Sequence, residues 1–348
     1  MKPIRALLMR STTLSWLLPF TNPGAETGDT TGWTQRVGTN FVSASGGTSG
    51  THSGSKKFIL STTDGDSEVF ATALDAPAGA LSYIDAGQVA ASFSFWHGHF
   101  HDADTGYARL EFFSGAGATG DFLGARSSGA LAGPDDGWAQ FADTYVVPPG
   151  TRSFILYIFG YRSSIGGTEL SFYWDDVQPL TLNIGYHSER VYSARTDTSG
   201  WTVDTGSGQP TNVNGSSWSF PGIAAGSQAA YAIHKDIAVS SLSAAAQAAI
   251  SAGTATLHLH RYAWDTNGDD KTRTRCICRS SGADVATVQD AAATTQWGGS
   301  FANVDILRDA TVAVPSTTDT FRFRLDYTRV DGTVLDARVS FPFVWLTW

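Results

Sequence analysis

One feature constrains the fold more than any other: the 348-residue chain repeats itself once, at a spacing of 166 to 168 residues. Gly28-Asp29-Thr30-Thr31-Gly32-Trp33 returns as Thr196-Asp197-Thr198-Ser199-Gly200-Trp201. Ile84-Asp85-Ala86-Gly87 returns as Ile250-Ser251-Ala252-Gly253, and Arg109 as Arg275. Ser114-Gly115 falls on Ser281-Gly282, Val147-Pro148 on Val314-Pro315, Thr151 and Phe154 on Thr318 and Phe321, and Tyr161-Arg162 on Thr328-Arg329. Matches that hold one offset over a whole domain length imply duplication, and a period this long means two domains rather than a solenoid. Each copy is long enough to bury a core of its own. The expected division is an N-terminal segment over 1–16, a first domain over 17–183 and a second over 184–348.

Within each copy the residues alternate with period two. Ala90 to Phe95, Ser153 to Phe159, Thr254 to His260, Thr320 to Tyr327 and Val339 to Trp348 all do so, bounded by Gly, Pro, Asp and Ser. Such runs read as strands and turns. With 37 Gly, 20 Phe, 11 Trp and 11 Tyr but only 16% charged residues, the composition suits pleated, half-buried surfaces rather than long helices. One helix is expected, over Ser243 to Ile250, ended by Gly253. The fold class is therefore all-β: two tandem antiparallel β-sandwiches.

Charge and cysteine content narrow the partners. The net charge of −9 lacks the clustered Lys and Arg that phosphate binding needs, so nucleic acid is not an expected partner. The two cysteines, Cys276 and Cys278, share one strand face and read as small core residues. Lys2 and Arg5 precede the apolar runs Ala6 to Met9 and Leu14 to Phe20, but Arg10 and Ser11 to Thr13 interrupt them and no small-x-small cleavage site follows. That is a poor signal peptide, and no apolar stretch of ~20 residues is long enough to span a membrane.

Four motifs in order then become recognisable in the first copy. They are Asn22-Pro23-Gly24-Ala25-Glu26 with Gly28 and Gly32-Trp33, His52-Ser53-Gly54-Ser55-Lys56, Val147-Pro148-Pro149-Gly150-Thr151, and Phe172-Tyr173-Trp174-Asp175-Asp176-Val177. Together, over Leu17 to Leu182, they resemble galactose-binding-like jelly rolls of the carbohydrate-binding-module type, where the first would lie in the first strand and the last in the closing strand. The resemblance implies a structural calcium in domain 1. Its ligands would be Glu26 and Asp175, with Asp176 or Asp29 and carbonyl oxygens near Ser55 and Lys56, a set of the oxygen type calcium takes. The second copy departs from the pattern: Trp174-Asp175 falls on Phe341-Pro342 and Glu26 on Ala194, so no calcium is expected there.

The remaining motifs carry less. Gly115 to Gly120 spells G-x-G-x-x-G, yet further glycines and Pro134 follow where a helix must open, so a hairpin loop is expected. Asp265 to Asp270 begins like a calcium loop but lacks the glycine and glutamate at the required places. His97, His99 and His101 share a strand face without a completed ligand set for zinc. No nucleophile elbow, zincin or P-loop motif occurs, so a non-enzyme is expected. Aromatic rings pack on sugar faces while polar groups read hydroxyls. Trp96, His97 and His99, with His260, Tyr262 and Trp264 in the second copy, are the candidates for that role.

A chain that opens at Met1 without a good signal, contains only tandem sandwiches and carries a short apolar N-terminal segment suits a virion component. That would be a phage tail, baseplate or head fibre protein, docked on other virion proteins through its N-terminus, binding host surface polysaccharide and assembling as a homo-oligomer. A secreted or cell-surface bacterial carbohydrate-binding protein is the alternative. A spacer without ligand is the third reading.

Overall fold

The computed structural model describes residues 14–348 apart from 39–40, 45–49, 63–66, 101–103, 129, 132, 162–169, 194–200, 206–210, 214–216, 220–229, 265–269, 290–292, 295–305 and 330–337. The docking segment before residue 14, His101, and most of the Asp265 to Asp270 loop lie outside the described residues.

The first half contributes β1 (Ser15–Leu18), β2 (Trp33–Val37), β3 (Phe41–Ala44), β4 (Lys57–Thr62), β5 (Ser67–Ala71), β6 (Leu74–Asp75), helix α1 (Leu81–Asp85), β7 (Val89–His99), β8 (Thr105–Phe113), β9 (Phe122–Ser127), β10 (Ala139–Val146), β11 (Ser153–Tyr161), β12 (Leu170–Asp175) and β13 (Leu180–Ile184). The second contributes β14 (Ser188–Ser193), β15 (Thr202–Thr205), β16 (Thr211–Val213), β17 (Ser217–Ser219), β18 (Ala230–Ala238), helix α2 (Ala244–Ser251), β19 (Thr256–Trp264), β20 (Asp270–Ser280), β21 (Ala283–Gln289), β22 (Ala293–Thr294), β23 (Ile306–Ala313), β24 (Thr320–Arg329) and β25 (Arg338–Thr347).

Each half is two antiparallel sheets face to face. In the first, β7 is the centre of the front sheet. It has β10 along one side, while β13 and β12 share the other end to end and lead to β1 and to β4–β3 respectively. The back sheet runs β2-β5-β11-β8-β9. The second half repeats this plan, with β22 added on β20 and, among the described residues, no counterpart of β6. Its front sheet runs β16-β17-β25-β19-β23 with β14 on β25, and its back sheet β15-β18-β24-β20-β21. One long strand, β25, does there what β12 and β13 do together.

Local chemistry repeats as well. Val147 N–H donates to Val89 O at 2.9 Å, and Val314 N–H to Ala255 O at 2.9 Å. The Thr151 hydroxyl donates to Pro148 O at 2.7 Å, and the Thr318 hydroxyl to Pro315 O at 2.7 Å. Each short helix ends in a left-handed glycine, Gly87 (φ 67°) and Gly253 (φ 70°), the conformation glycine adopts without steric cost. The Ser243 side chain caps α2 by accepting from Ala246 N–H at 3.2 Å. Cys276 and Cys278 are free and buried, as their shared strand face predicts.

The cores follow from alternation. Phe93 and Phe95 of β7, Leu110 and Phe112 of β8, Phe154 and Leu156 of β11 and Phe172 and Trp174 of β12 point between the sheets. Trp33 packs against Phe58 and Trp174 at ring centroid distances of 5.6 and 5.9 Å. The second core uses Trp201, Leu257, Leu259, Phe321, Phe323, Val344 and Leu346 in the corresponding places.

Three expectations need correction. Asn22 to Gly32 does not lie in a strand: it is a chain of turns between β1 and β2, with Asn22, Ala25, Gly28 and Gly32 at positive φ. The register also moves the second copy's partner of Asp175. Asp175 opposes Trp96, Tyr262 is the counterpart of Trp96, and Tyr262 opposes Ser340, so Ser340 rather than Pro342 holds that place. Phe341 and Pro342 sit in the register shift of β25, where the first half breaks its strand at Asp176 to Pro179. Ser15 and Trp16, assigned above to the docking segment, belong to the front sheet through β1.

Phe154 and Phe321 occupy one position in the two cores and both are fully buried. Truncating either to alanine is expected to cost about 3–5 kcal/mol, measured by denaturant unfolding. A cost below about 1 kcal/mol at one of them would contradict the shared core position.

Candidate functional site

The front sheet of the first half has two unlike faces because successive residues of β7 point to opposite sides. Phe93, Phe95, His97 and His99 face inward. Ser92, Ser94, Trp96 and Gly98 face out. Neighbouring strands add Tyr173 from β12, Gln140, Ala142 and Thr144 from β10, and Thr181 and Asn183 from β13 in register.

At one end of this outer face the rings gather. His52 stacks on Trp96 with centroids 4.0 Å apart and planes 15° apart. Trp138 meets His52 edge-on at 5.7 Å and Tyr173 at 4.9 Å. Trp96, Trp138 and His52 remain partly exposed. Gly98 makes the cluster close: a β-carbon there would lie 2.6 Å from Tyr173 Cε2 and inside the Gly137 carbonyl. Over this gap the Tyr173 hydroxyl donates to Gly137 O at 2.8 Å. Beneath the rings lies Lys57, fully buried. Its ammonium sits 4.3 Å from the Tyr173 centroid, 4.9 Å from Phe100 and 5.7 Å from Trp138. Burial lowers its pKa while Asp136 and Asp175 oppose the shift, and the ring faces contribute cation–π attraction.

From Trp96 the same face continues into a shallow depression of about 450 Å³. It is floored by Ser92, Ser94, Thr144 and Thr181 and flanked by Asp143 and Gln178. Ser92 and Thr144 hydroxyls pair at 2.8 Å, and Asn183 Nδ2 donates to Ser92 Oγ at 3.3 Å. Hydroxyls and amides therefore begin one same-face step, about 7 Å, from the ring cluster.

The carboxylates predicted to hold calcium anchor the loop that carries His52. Asp175, fully buried, accepts from His52 N–H (3.0 Å), Ser53 N–H (3.3 Å) and Asp176 N–H (2.8 Å). Burial nevertheless pushes its pKa up to about 6. Asp176, at φ 51°, meets His52 Nδ1 at 2.6 Å and accepts the Ser53 hydroxyl at 2.7 Å. Glu26 accepts from Ser55 N–H (2.9 Å) and Lys56 N–H (2.8 Å), bonds that lower its pKa. Asp29 instead closes its own turn with the Thr27 hydroxyl (2.7 Å) and Thr31 N–H (3.0 Å). As arranged, this set does not fit a calcium cage. Calcium takes six to eight oxygens, whereas these carboxylates face N–H and O–H donors. In a trans peptide the carbonyl points opposite the following N–H, so the Gly54 and Ser55 carbonyls are turned away from Glu26. No group of three or more His, Cys, Asp or Glu gathers as a metal site among the described residues.

Of the residues expected to bind sugar, Trp96 lies on the open face. His97 and His99 do not: one step along a strand reverses the face, and they are buried between the sheets at 4% and 5% exposure. Burial lowers the His97 pKa to about 4. His260, Tyr262 and Trp264 lie on β19, opposite Phe343, Ser340 and Arg338 of β25, with side chains outside the described residues. Sequence reading missed His52, Trp138, Tyr173 and Lys57. Their signal was available only in part, as the aromatic partner of a glycine in Gly137-Trp138 and as the lone Lys56-Lys57 pair. The G-x-G-x-x-G segment is the expected loop joining β8 to β9. Gly117 N–H donates to Asp75 at 2.6 Å and Ala118 N–H to Ser153 Oγ at 2.9 Å.

The class of fold these sheets define is a pair of tandem antiparallel β-sandwiches of jelly-roll type, and solved structures it is similar to include carbohydrate-binding modules. One is the CBM22-1–CBM22-2 tandem of Paenibacillus barcinonensis Xyn10C, at 12% identity and TM-score 0.33, covering 96% of this chain and 98% of that one. Another is TmCBM61 in complex with β-1,4-galactotriose, at 16% identity and TM-score 0.34, covering 48% and 99%. The enzymatically active domain of tailspike protein 4 of bacteriophage CBA120 matches at 18% identity and TM-score 0.35, over 47% of this chain and 21% of that one. No family model and no curated protein matches the chain. Among the described residues no helix is long and apolar enough to cross a membrane.

Two outcomes test the loop anchor. An NMR carboxyl titration should give Asp175 a midpoint near pH 6. Because that value is raised, Asp175's contribution to stability is complete below about pH 4 and lost as pH rises through 6. Calcium at millimolar concentration, or its chelation, should move the melting temperature by less than about 1 °C. A site occupied at 100 times its Kd would add about 2.7 kcal/mol and several degrees.

Proposed function

We propose that this chain is a non-catalytic carbohydrate-binding protein whose ligand lies along the outer face of the first half's front sheet. The observation that carries this reading is the continuous track on one sheet face, from the partly exposed rings of Trp96, Trp138 and His52 to the depression lined by Ser92, Ser94, Thr144 and Thr181. Sugar rings offer C–H faces to indole and hydroxyls to carboxamides, hydroxyls and carboxylates, and the track presents both in sequence. Asp135 and Asp136, just before Trp138 in the chain, are exposed, and Asp176 meets His52 Nδ1, so the rim carries carboxylates, while Lys57 is buried beneath. Neutral and amino sugars suit this rim, and uronic or sialic acids are repelled by it.

The biological setting we infer is a virion attachment or structural protein, held through the N-terminal segment and binding host surface polysaccharide. The alternative is a secreted or cell-surface protein of bacterial origin, with cleavage near Thr21. Such cleavage would remove β1, whose Leu18 enters the core and whose Trp16 lies 5.9 Å from Tyr83. That favours retention of the segment. Mass measurement of the purified protein distinguishes the two: an intact N-terminus supports the first and a start near Thr21 the second.

Trp96→Ala and Trp138→Ala should each weaken binding to a neutral polysaccharide at least about tenfold, with circular dichroism unchanged, since stacked rings are typical binding hot spots. Affinity electrophoresis over a panel of glycans reads this. Silence of the wild-type chain across the panel would leave the spacer reading in its place.

A further inference from the structure

The two halves share a fold, but among the described residues their front faces differ at matched positions. Superposing the registers places His258 where the first half has Ser92 and Trp345 where it has Thr181. Thr311 opposes His258 as Thr144 opposes Ser92. Two of the small hydroxyl residues that floor the depression are thus replaced by large rings. Val344 and Leu346 of β25 enter the second core, so the side chain of Trp345 between them points outward; it is nevertheless only 4% exposed.

The first half reaches this face through Arg126. At the edge of the first sandwich, Arg126 of β9 lies over the Tyr145 ring, 5.9 Å from its centroid, and its Nη2 donates to His258 Nδ1 at 3.1 Å. The other ring nitrogen of His258 then carries the hydrogen and meets Thr347 Oγ1 at 2.8 Å. The position of Arg126 opposes Leu110, and the corresponding position in the second half, opposite Cys276, is Val288, an ordinary buried core residue. Arg126 is therefore where the copies differ in the one way a connector requires. The segment between the halves is fixed at both ends. Gly185 and Tyr186 N–H donate to Gln88 O, and Ser188 N–H to Gly87 O at 2.7 Å. His187 O accepts from Trp348 N–H at 3.2 Å, and the His187 and Trp348 rings stack at 5.9 Å.

We propose that the edge of the first sandwich around Arg126 is the resident partner of the second half's front face, docked on His258 and Trp345, so that the chain is one rigid unit with a single open platform. The docking stands on its own contacts; that the open platform takes one glycan per chain rests on the carbohydrate reading above. The copies diverge so that the contact does not propagate. The first half's platform lacks the two rings and the second half's β21 lacks the arginine, so a second molecule cannot repeat the junction.

Hydroxyl-radical footprinting of the intact chain tests the docking without any ligand. Trp96 should be oxidised readily and Trp345 protected, and Arg126→Glu should raise oxidation of Trp345 at least about fivefold while circular dichroism and Trp96 oxidation stay unchanged. Small-angle scattering should show the variant lengthening. Trp345 oxidised as fast as Trp96 in the wild-type chain, which needs no variant to fold, would overturn the docking, as would its continued protection in a folded Arg126→Glu chain. Calorimetric titration with a glycan that binds should give one equivalent per chain, and two would overturn the single-platform claim. Absence of glycan binding with Trp345 protected would overturn the carbohydrate reading and uphold the docking.

Discussion

The fully buried carboxylate of Asp175 stands at the junction of everything that gives the first half a surface different from its core. It ends β12, where the closing strand leaves the sheet for four residues before β13 resumes. By accepting three backbone N–H groups it ties that break to the loop carrying His52. A buried charge is costly unless hydrogen-bonded, and the persistence of a raised pKa shows that the three bonds do not fully offset desolvation. The consequence lies on the surface: with its backbone held, His52 is placed flat on Trp96 and within reach of Asp176. In the second half Ser340 stands at this place, and β25 runs on through a register shift instead of breaking.

A second division of labour separates the two sheets of each half. The front sheets differ between copies where Ser92 and Thr181 give way to His258 and Trp345. The outer faces of the back sheets carry ion-pair clusters that share one repeated position, Arg109 and Arg275, though the partners differ. In the first half Arg109 lies between Glu68 (2.8 Å) and Glu111 (2.9 Å) and over the Tyr157 ring. In the second, Arg275 and Arg324 share Asp326, and Arg324 and His234 share Asp204. Cross-strand pairs of opposite charge support a sheet modestly.

How far the sequence could be read follows from which interactions are local along the chain. Period-two alternation and the long repeat gave the sandwiches, the strands and the capped helix, because strand facing depends only on neighbours one and two residues away. The same rule, applied strictly, would have separated Trp96 from His97 and His99, which were grouped as one sugar face. The left-handed residues of Asn22 to Gly32 make it a series of turns rather than a strand, although it keeps its place in the order along the chain.

By itself, then, the sequence determined a duplicated all-β chain, its core positions and one of the rings on its open face. Tertiary structure alone decided that His52, Trp138, Tyr173 and Lys57, from four separate segments, gather beside Trp96, that Glu26 and Asp175 clasp a loop, and that Arg126 reaches His258. The reason is physical. Burial and facing follow from near neighbours in the chain, but a surface site is assembled from side chains whose proximity is set by register and by the gap that Gly98 leaves, neither of which any single stretch of residues encodes.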